Sequence, residues 1–148
     1  PLTELSNACH FCQLILASKS GRQACIGSWQ SLAQQQNKRG FSTCHAGLRY
    51  VQAPIKVKGQ FRAMLVAGQF YAELPSAAEE EARLQELAET HNISPVRLRA
   101  AAESVPVLNE HAQGHIEGWL KKEARVIEEF SNERLDMMRR FQMKTAQK

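Results

Sequence analysis

All four cysteines of this chain, Cys9, Cys12, Cys25 and Cys44, fall within its first 44 of 148 residues. Thiolates are soft ligands, so four of them crowded into one part of a chain could close a single tetrahedral zinc or iron-sulfur site. Two plainer readings compete. Free cysteine is a common small core residue, and in a secreted chain the four could form two disulfides. Cys9-x-x-Cys12 is a chelating half, whereas Cys25 and Cys44 stand alone. A structural zinc site is usually built from two close pairs, so the spacing weakens zinc. An iron-sulfur cluster such as 4Fe-4S spreads its ligands over a larger body and accepts isolated cysteines more readily. On spacing alone all of these readings stay open.

Other chemistry has less support. The chain has no nucleophile elbow, Walker loop, HExxH or glycine-rich dinucleotide turn, so the reading is that it is not an enzyme. Of its five histidines His10 adjoins Cys9 and His45 adjoins Cys44, and sequence neighbours usually point apart. His111 and His115 have the i, i+4 spacing that lets two imidazoles share a metal on one helix face, although most such pairs are solvated. Glu79-Glu80-Glu81 suits the first turn of a helix, where negative charge complements the dipole.

Composition narrows the class. Apolar residues make up 43% of the chain and charged residues 23%, a globular balance. One domain of this length buries a normal core without metal or disulfides, so a metal here would be functional. The formal charge of +4 is spread along the chain, with no basic block among aromatics, which argues against direct nucleic-acid binding. No segment nears the ~20 apolar residues of a membrane span; the most apolar run is Met64 to Ala67. No leader opens the chain, so a reducing, cytoplasmic setting is expected, which disfavours disulfides. A start at Pro1 suggests a piece of something longer.

The elements that must position the thiols follow from periodicity. Asn7 to Ala17 reads as a helix with Phe11, Leu14 and Ile15 on one face. A break at Ser20-Gly21 separates it from a second helix over Gln23 to Gln36, with Ile26, Trp29 and Leu32 inward, and a polar loop follows. Tyr50 to Val57 and Phe61 to Phe70 form a hairpin about Lys58-Gly59-Gln60. Pro54 should face an edge or a bulge, and Gly68-Gln69 marks a bend or a close backbone approach. Ser76 with Glu79 forms a capping box that opens a helix to about Thr90, with Ala82, Leu84, Leu87 and Ala88 inward. Asn92 stops it, and Ser94-Pro95 opens a short helix to about Glu103. A long helix from about Leu108 to Thr145 carries Ile116, Leu120, Ile127, Phe130, Met138 and Phe141, with Arg134 among them, at roughly heptad steps. It either packs on its own domain or projects as a homodimer contact and connector. The division expected is one unit over 1–107 and a long helix over 108–148.

Phe11-Cys12-Gln13-Leu14-Ile15, then Cys25, Cys44-His45-Ala46-Gly47-Leu48, Ala53-Pro54-Ile55, Gly59 and Gly68-Gln69 together resemble the PocR sensory domain family. The Cys-His-x-Gly-Leu element is its most specific part, and Val105-Pro106 and the closing helix also look like the family. The resemblance implies a bacterial, PAS-like, α+β module: an antiparallel sheet flanked by helices, with a long C-terminal helix leading to an effector domain in transcription factors or kinases. It implies a small-molecule ligand or metal centre rather than catalysis. The family domain usually has a helix and a strand before Phe-Cys, so the first strand is expected to be missing. Many members carry a second cysteine where this chain has Ser28, and Cys9 stands as the fourth thiol instead. The candidate metal ligands are therefore Cys9, Cys12, Cys25 and Cys44, with iron-sulfur favoured over zinc. The candidate ligand contacts are His45, Tyr50, Gln69 and Phe11. A diol-like metabolite sensor without metal, or a dimerisation module with structural zinc, are the alternatives.

Overall fold

The computed structural model describes residues 8–35 and 40–146, with side chains through 144. The first seven residues, where a preceding strand would fall, lie outside them, as does part of the polar loop after the second helix.

Helix α1 (His10–Ala17) buries Phe11 and Ile15, as its periodicity predicts. It ends at Ser18, which has extended backbone and at once caps α2 (Lys19–Gln34), its hydroxyl accepting from the Gly21 amide. The break therefore lies two residues before Ser20-Gly21, and those two residues build the first turn of α2. Serine acts here as a cap. Gly21 serves packing rather than helix breaking: a Cβ at that position would run into the Ile15 carbonyl.

Strand β1 (Phe41–Thr43), which periodicity does not reveal, pairs antiparallel with the start of β2 (Arg49–Val57), and β2 pairs antiparallel with β3 (Gln60–Phe70). The sheet order is β1-β2-β3. The β2–β3 turn is Lys58-Gly59 with φ of 53° and 77°, the doubly left-handed form that a two-residue hairpin loop favours. Because β1 covers only Arg49–Val51, Pro54 sits where the outer edge of β2 has no strand partner, beside a register shift at Ile55/Lys56. That satisfies its missing amide hydrogen. Gly68 lies where the expected close approach occurs: a Cβ there would meet the Arg49 carbonyl oxygen at 2.6 Å.

Helix α3 (Ala77–His91) begins with the reciprocal Ser76/Glu79 capping box and stops at Asn92 in the left-handed conformation. Leu84, Leu87 and Ala88 are buried, while Ala82 is exposed, one position off the inward face assigned to it. Helix α4 (Pro95–Ala102) is capped by Ser94. Helix α5 (Glu110–Ala146) begins after Asn109, whose side chain accepts from the Ala112 amide.

Two cores result. One joins α1, α3, α4 and the segment Ala46–Leu48 around Phe11, Ile15, Leu84 and Leu98. The other joins Val51, Ala53 and Ile55 of β2 to Leu120 and Ala124 of α5. Each large aliphatic side chain so buried contributes about 1.5–3 kcal/mol. The apolar series of α5 divides between two faces. Ile116 and Leu120 cover the sheet with Ala124, and the same i+4 line then continues as Glu128, Asn132 and Asp136. Glu128 accepts from the Lys56 amide (2.5 Å) and Asn132 from the Lys58 amide (2.8 Å), covering the open edge of β2. Asp136 pairs with the Lys58 ammonium at 2.6 Å. Phe130, Met138 and Phe141 are exposed. The fold is α+β, as expected, with five described helices, the long C-terminal one among them, about an antiparallel sheet to which β1 adds a third strand.

Candidate sensory site

The four thiols come from three segments. Cys9 and Cys12 lie one turn apart at the start of α1, Cys25 lies in α2, and Cys44 opens the turn between β1 and β2. All are free, half-buried and packed against the helical core. The Cys44 turn is closed by Cys44 N–H to the Leu48 carbonyl (2.8 Å) and Gly47 N–H to the Cys44 carbonyl (2.9 Å). Gly47 has φ +82°, a conformation that favours glycine. The turn directs His45 at α2, where its Nε2 lies 3.2 Å from Cys25 Sγ.

Gln69 is the extra residue of a β-bulge, since Tyr50 pairs with Gly68 and Arg49 with Phe70. Its side-chain oxygen accepts the Cys9 amide hydrogen at 2.6 Å. The N-terminal thiol pair is thereby tied to the end of β3.

The thiols influence one another. The Cys12 side-chain hydrogen bond holds the Cys9 thiol down at about 6. The same bond pushes Cys12 up, reinforced by burial and by the charges of Cys9, Cys44 and Cys25, so the two thiols titrate as a coupled pair. Burial, then Cys44, pushes Cys25 up to about 11. Burial of its ring, then the edge-on His91 at 5.6 Å, lowers His45. Cys25 and His45 thus shift toward a neutral thiol beside a neutral imidazole. That is the reverse of the thiolate–imidazolium pair a thiol hydrolase needs. Among the described residues, no three His, Cys, Asp or Glu side chains are already arranged to hold a metal ion. His111 and His115 do meet, with ring centroids 4.5 Å apart and planes tilted by 57°, on the exposed side of α5.

A cavity of about 440 Å³ opens beside the thiols, lined among others by Ser28, Ser31, Ser42, Cys44, His45 and Tyr50. Tyr50 is pushed up by burial and then by Cys44, which keeps it a neutral phenol. Ser28 lines the same cavity as Cys44. Of the four candidate ligand contacts, the structure brings His45 and Tyr50 together here. Phe11 is fully buried in the helical core, and Gln69 holds the Cys9 backbone instead of lining this cavity.

Sequence reasoning missed a second cavity on the opposite side of the Cys44–Leu48 turn. It measures about 350 Å³ and is lined by residues including Arg49, Arg83, Tyr71 and Thr43. Arg83 donates to the Ala46 carbonyl (2.7 Å) and to the Tyr71 hydroxyl, and lies 3.6 Å from Glu80. Its guanidinium also stands over the Tyr71 ring at 5.0 Å and the Phe11 ring at 5.8 Å. Only the left-handed Gly47, against which Arg83 packs, hinted at this in the sequence.

No curated protein and no solved structure matches the chain. Among the described residues no helix is long and apolar enough to cross a membrane. A family described as a sensory domain found in PocR matches residues 1–132, covering the thiol segments, the sheet and the sheet-covering half of α5; the chain belongs to this family of sensory domains, which is not a family of enzymes.

Proposed function

We propose that this chain is the input module of a larger, cytoplasmic bacterial signalling or transcription-regulatory protein, and that it senses through a cysteine-ligated metal centre. The observation that supports the reading is that four half-buried thiols from α1, α2 and the Cys44 turn pack against the same helical core, with Cys9, Cys25 and Cys44 all acting on Cys12. The donor set fits a soft metal chemically, and an iron-sulfur cluster suits it better than zinc, because the donors lie on separate segments. Closing four ligands about one centre requires the thiols to shift from their present positions. Cys9, Cys12, Cys25 and Cys44 would hold the group, which would supply redox or oxygen sensitivity when bound. His45 would sit beside it through Cys25.

The sensory unit spans residues up to 107, and its output is the helix from 108. The route is backbone: Tyr71, just past β3, donates to the Pro106 carbonyl and accepts from the Leu108 amide (both 2.9 Å), two residues before α5 begins. Beside the sheet-covering line of α5, Trp119, Phe130 and Phe141 recur eleven positions apart, and so do Val126 and Met137. An eleven-residue period is 3.67 residues per turn, which keeps a stripe on one face. These side chains are exposed, Phe130 at 67%. A second copy of α5 is the occupant proposed for that stripe. Phe130→Lys should therefore give a monomer by light scattering without loss of the domain's own stability.

Anaerobic purification followed by metal analysis and an absorption spectrum tests the centre. Brown protein with iron and sulfide supports it, whereas colourless protein with stoichiometric zinc overturns the iron-sulfur assignment in favour of a structural metal. A second reading has its own observation, the hydroxyls of Ser28, Ser31, Ser42 and Tyr50 around the 440 Å³ cavity. They suit a small diol-like metabolite bound without metal. Metal-free protein whose melting temperature rises with such a diol would favour it.

A further inference from the structure

We propose that the cavity between the Cys44–Leu48 turn, β2 and α3 is a second effector site, one that takes a small monocarboxylate. The inference does not rest on the thiol reading. The Arg49 side chain makes no ion pair or hydrogen bond among the described residues, and its Nε is buried without a partner. Its described contact is with the Phe41 ring, 5.6 Å from the guanidinium. A planar guanidinium with an unsatisfied donor beside a cavity is built for two-point contact with a carboxylate. Arg83, on the same cavity, is locked in place by Ala46, Tyr71 and two aromatic faces, so it offers a preorganised second cation.

Tyr71 orders the second cation. Its hydroxyl accepts from Arg83, and its own hydrogen bonds with the Glu80 carboxylate. Burial raises the phenol, so it remains a donor at neutral pH. The wall also carries carboxylates, and these set the ligand's charge. Glu79 is engaged with the Ser76 amide and hydroxyl (3.1 and 2.5 Å), Glu80 offsets part of Arg83, and Glu73 stands exposed on the lining. One negative charge is welcome beside Arg49, whereas a second would meet Glu73. A monocarboxylate therefore fits better than a phosphate dianion.

The site is also wired to both functional parts of the domain. Arg83 holds the Ala46 carbonyl, two residues from Cys44, and Tyr71 brackets the start of α5. An occupant that draws on Arg83, and through it on Tyr71, biases the thiol turn and the output helix together.

The test uses the intact chain and small probes: acetate, lactate and benzoate, with 1,2-propanediol as the uncharged partner of lactate, and inorganic phosphate as the multiply charged control. Calorimetry and amide chemical-shift titration should show saturable binding of at least one carboxylate, shifts centred on Ala46, Gly47 and Tyr71, and no binding of the diol there. Arg49→Met, which keeps the apolar stem over Phe41, should weaken that binding at least tenfold. Tyr71→Phe, which keeps the ring, should weaken it several-fold. No saturable carboxylate binding to the wild-type chain, or binding unchanged by Arg49→Met, overturns the site. Tighter binding of phosphate overturns the monocarboxylate assignment.

Discussion

The two sides of the Cys44–Leu48 turn are built on opposite principles. On one side Cys44 and His45 face α2 and α1 through thiols and one sulfur–imidazole contact, with no disulfide and no charged pair. On the other, Ala46 and Gly47 are held against Arg83 by a hydrogen bond and van der Waals contact, and Arg83 is itself fixed by a phenol, a carboxylate and two rings. Hydrogen bonds to sulfur are weak and readily rearranged, whereas charge-assisted bonds at fixed geometry are not. The difference teaches where a sensor can respond. Its deformable face carries the reactive groups, and its stiff face gives the movement something to push against.

The largest effect should come from removing thiols on the deformable side. Cys9→Ser and Cys44→Ser should each abolish stoichiometric metal in anaerobically purified protein, an effect larger than the roughly 10–100-fold that outer partners of a metal site cost. Equal loss in both variants makes Cys9 as full a ligand as Cys44. Retention of metal in Cys9→Ser with loss in Cys44→Ser would sink that role.

The stiff side should break next. Gly47→Ala puts a Cβ 2.6 Å from Arg83 Nη1 at φ +82°, where Gly59→Ala, at φ +77°, meets nothing within 4 Å. Backbone strain is common to both, at about 1–2 kcal/mol, while displacing Arg83 adds about 1–3 kcal/mol for Gly47 alone. Urea unfolding of the two variants isolates the contact. Equal losses would mean that Arg83 gives way freely and that this side is not stiff. Between the two faces lies Gln69, and Gln69→Leu removes the acceptor of the Cys9 amide. It should cost about 1 kcal/mol and speed hydrogen exchange at Cys9 while leaving Ala46 and Gly47 unchanged.

The sequence made the two sides unequally legible for a physical reason. Local signals travel well: the capping box at Ser76, the proline at the start of α4, the stop at Asn92 and the Lys58-Gly59 turn all depend on residues within a few positions of one another. The thiols were visible because cysteine is rare and soft. Arg49 and Arg83 are ordinary charged residues on a strand and a helix, and nothing local says that the Cys44 turn brings them to one cavity. Gly21 shows the same limit, because its helix-breaking propensity is overridden by a contact with Ile15. The α5 stripe misled because two faces of one helix, one on the sheet and one exposed, interleave at nearly the same period.

The smallest predicted effect tests whether the stiff side can be loosened alone. Ser76 caps the helix that carries Arg83 and lies far along α3 from the thiols, so Ser76→Ala should cost about 1 kcal/mol and leave thiol reactivity unchanged. Its pH dependence has a definite sign. The Ser76 hydroxyl and amide hold the Glu79 carboxyl below its ordinary 4.5. A depressed carboxyl favours the folded state fully above the unfolded value and loses that effect as pH falls through the folded one. The stability gap between wild type and Ser76→Ala should therefore be constant from neutrality down to about pH 5 and narrow below about 4.5. A gap that stays constant into strong acid would assign the cap to the serine hydroxyl alone. Arg83 would then be positioned by its own contacts with Ala46 and Tyr71, and the stiffness of that face would belong to the arginine rather than to the helix that bears it.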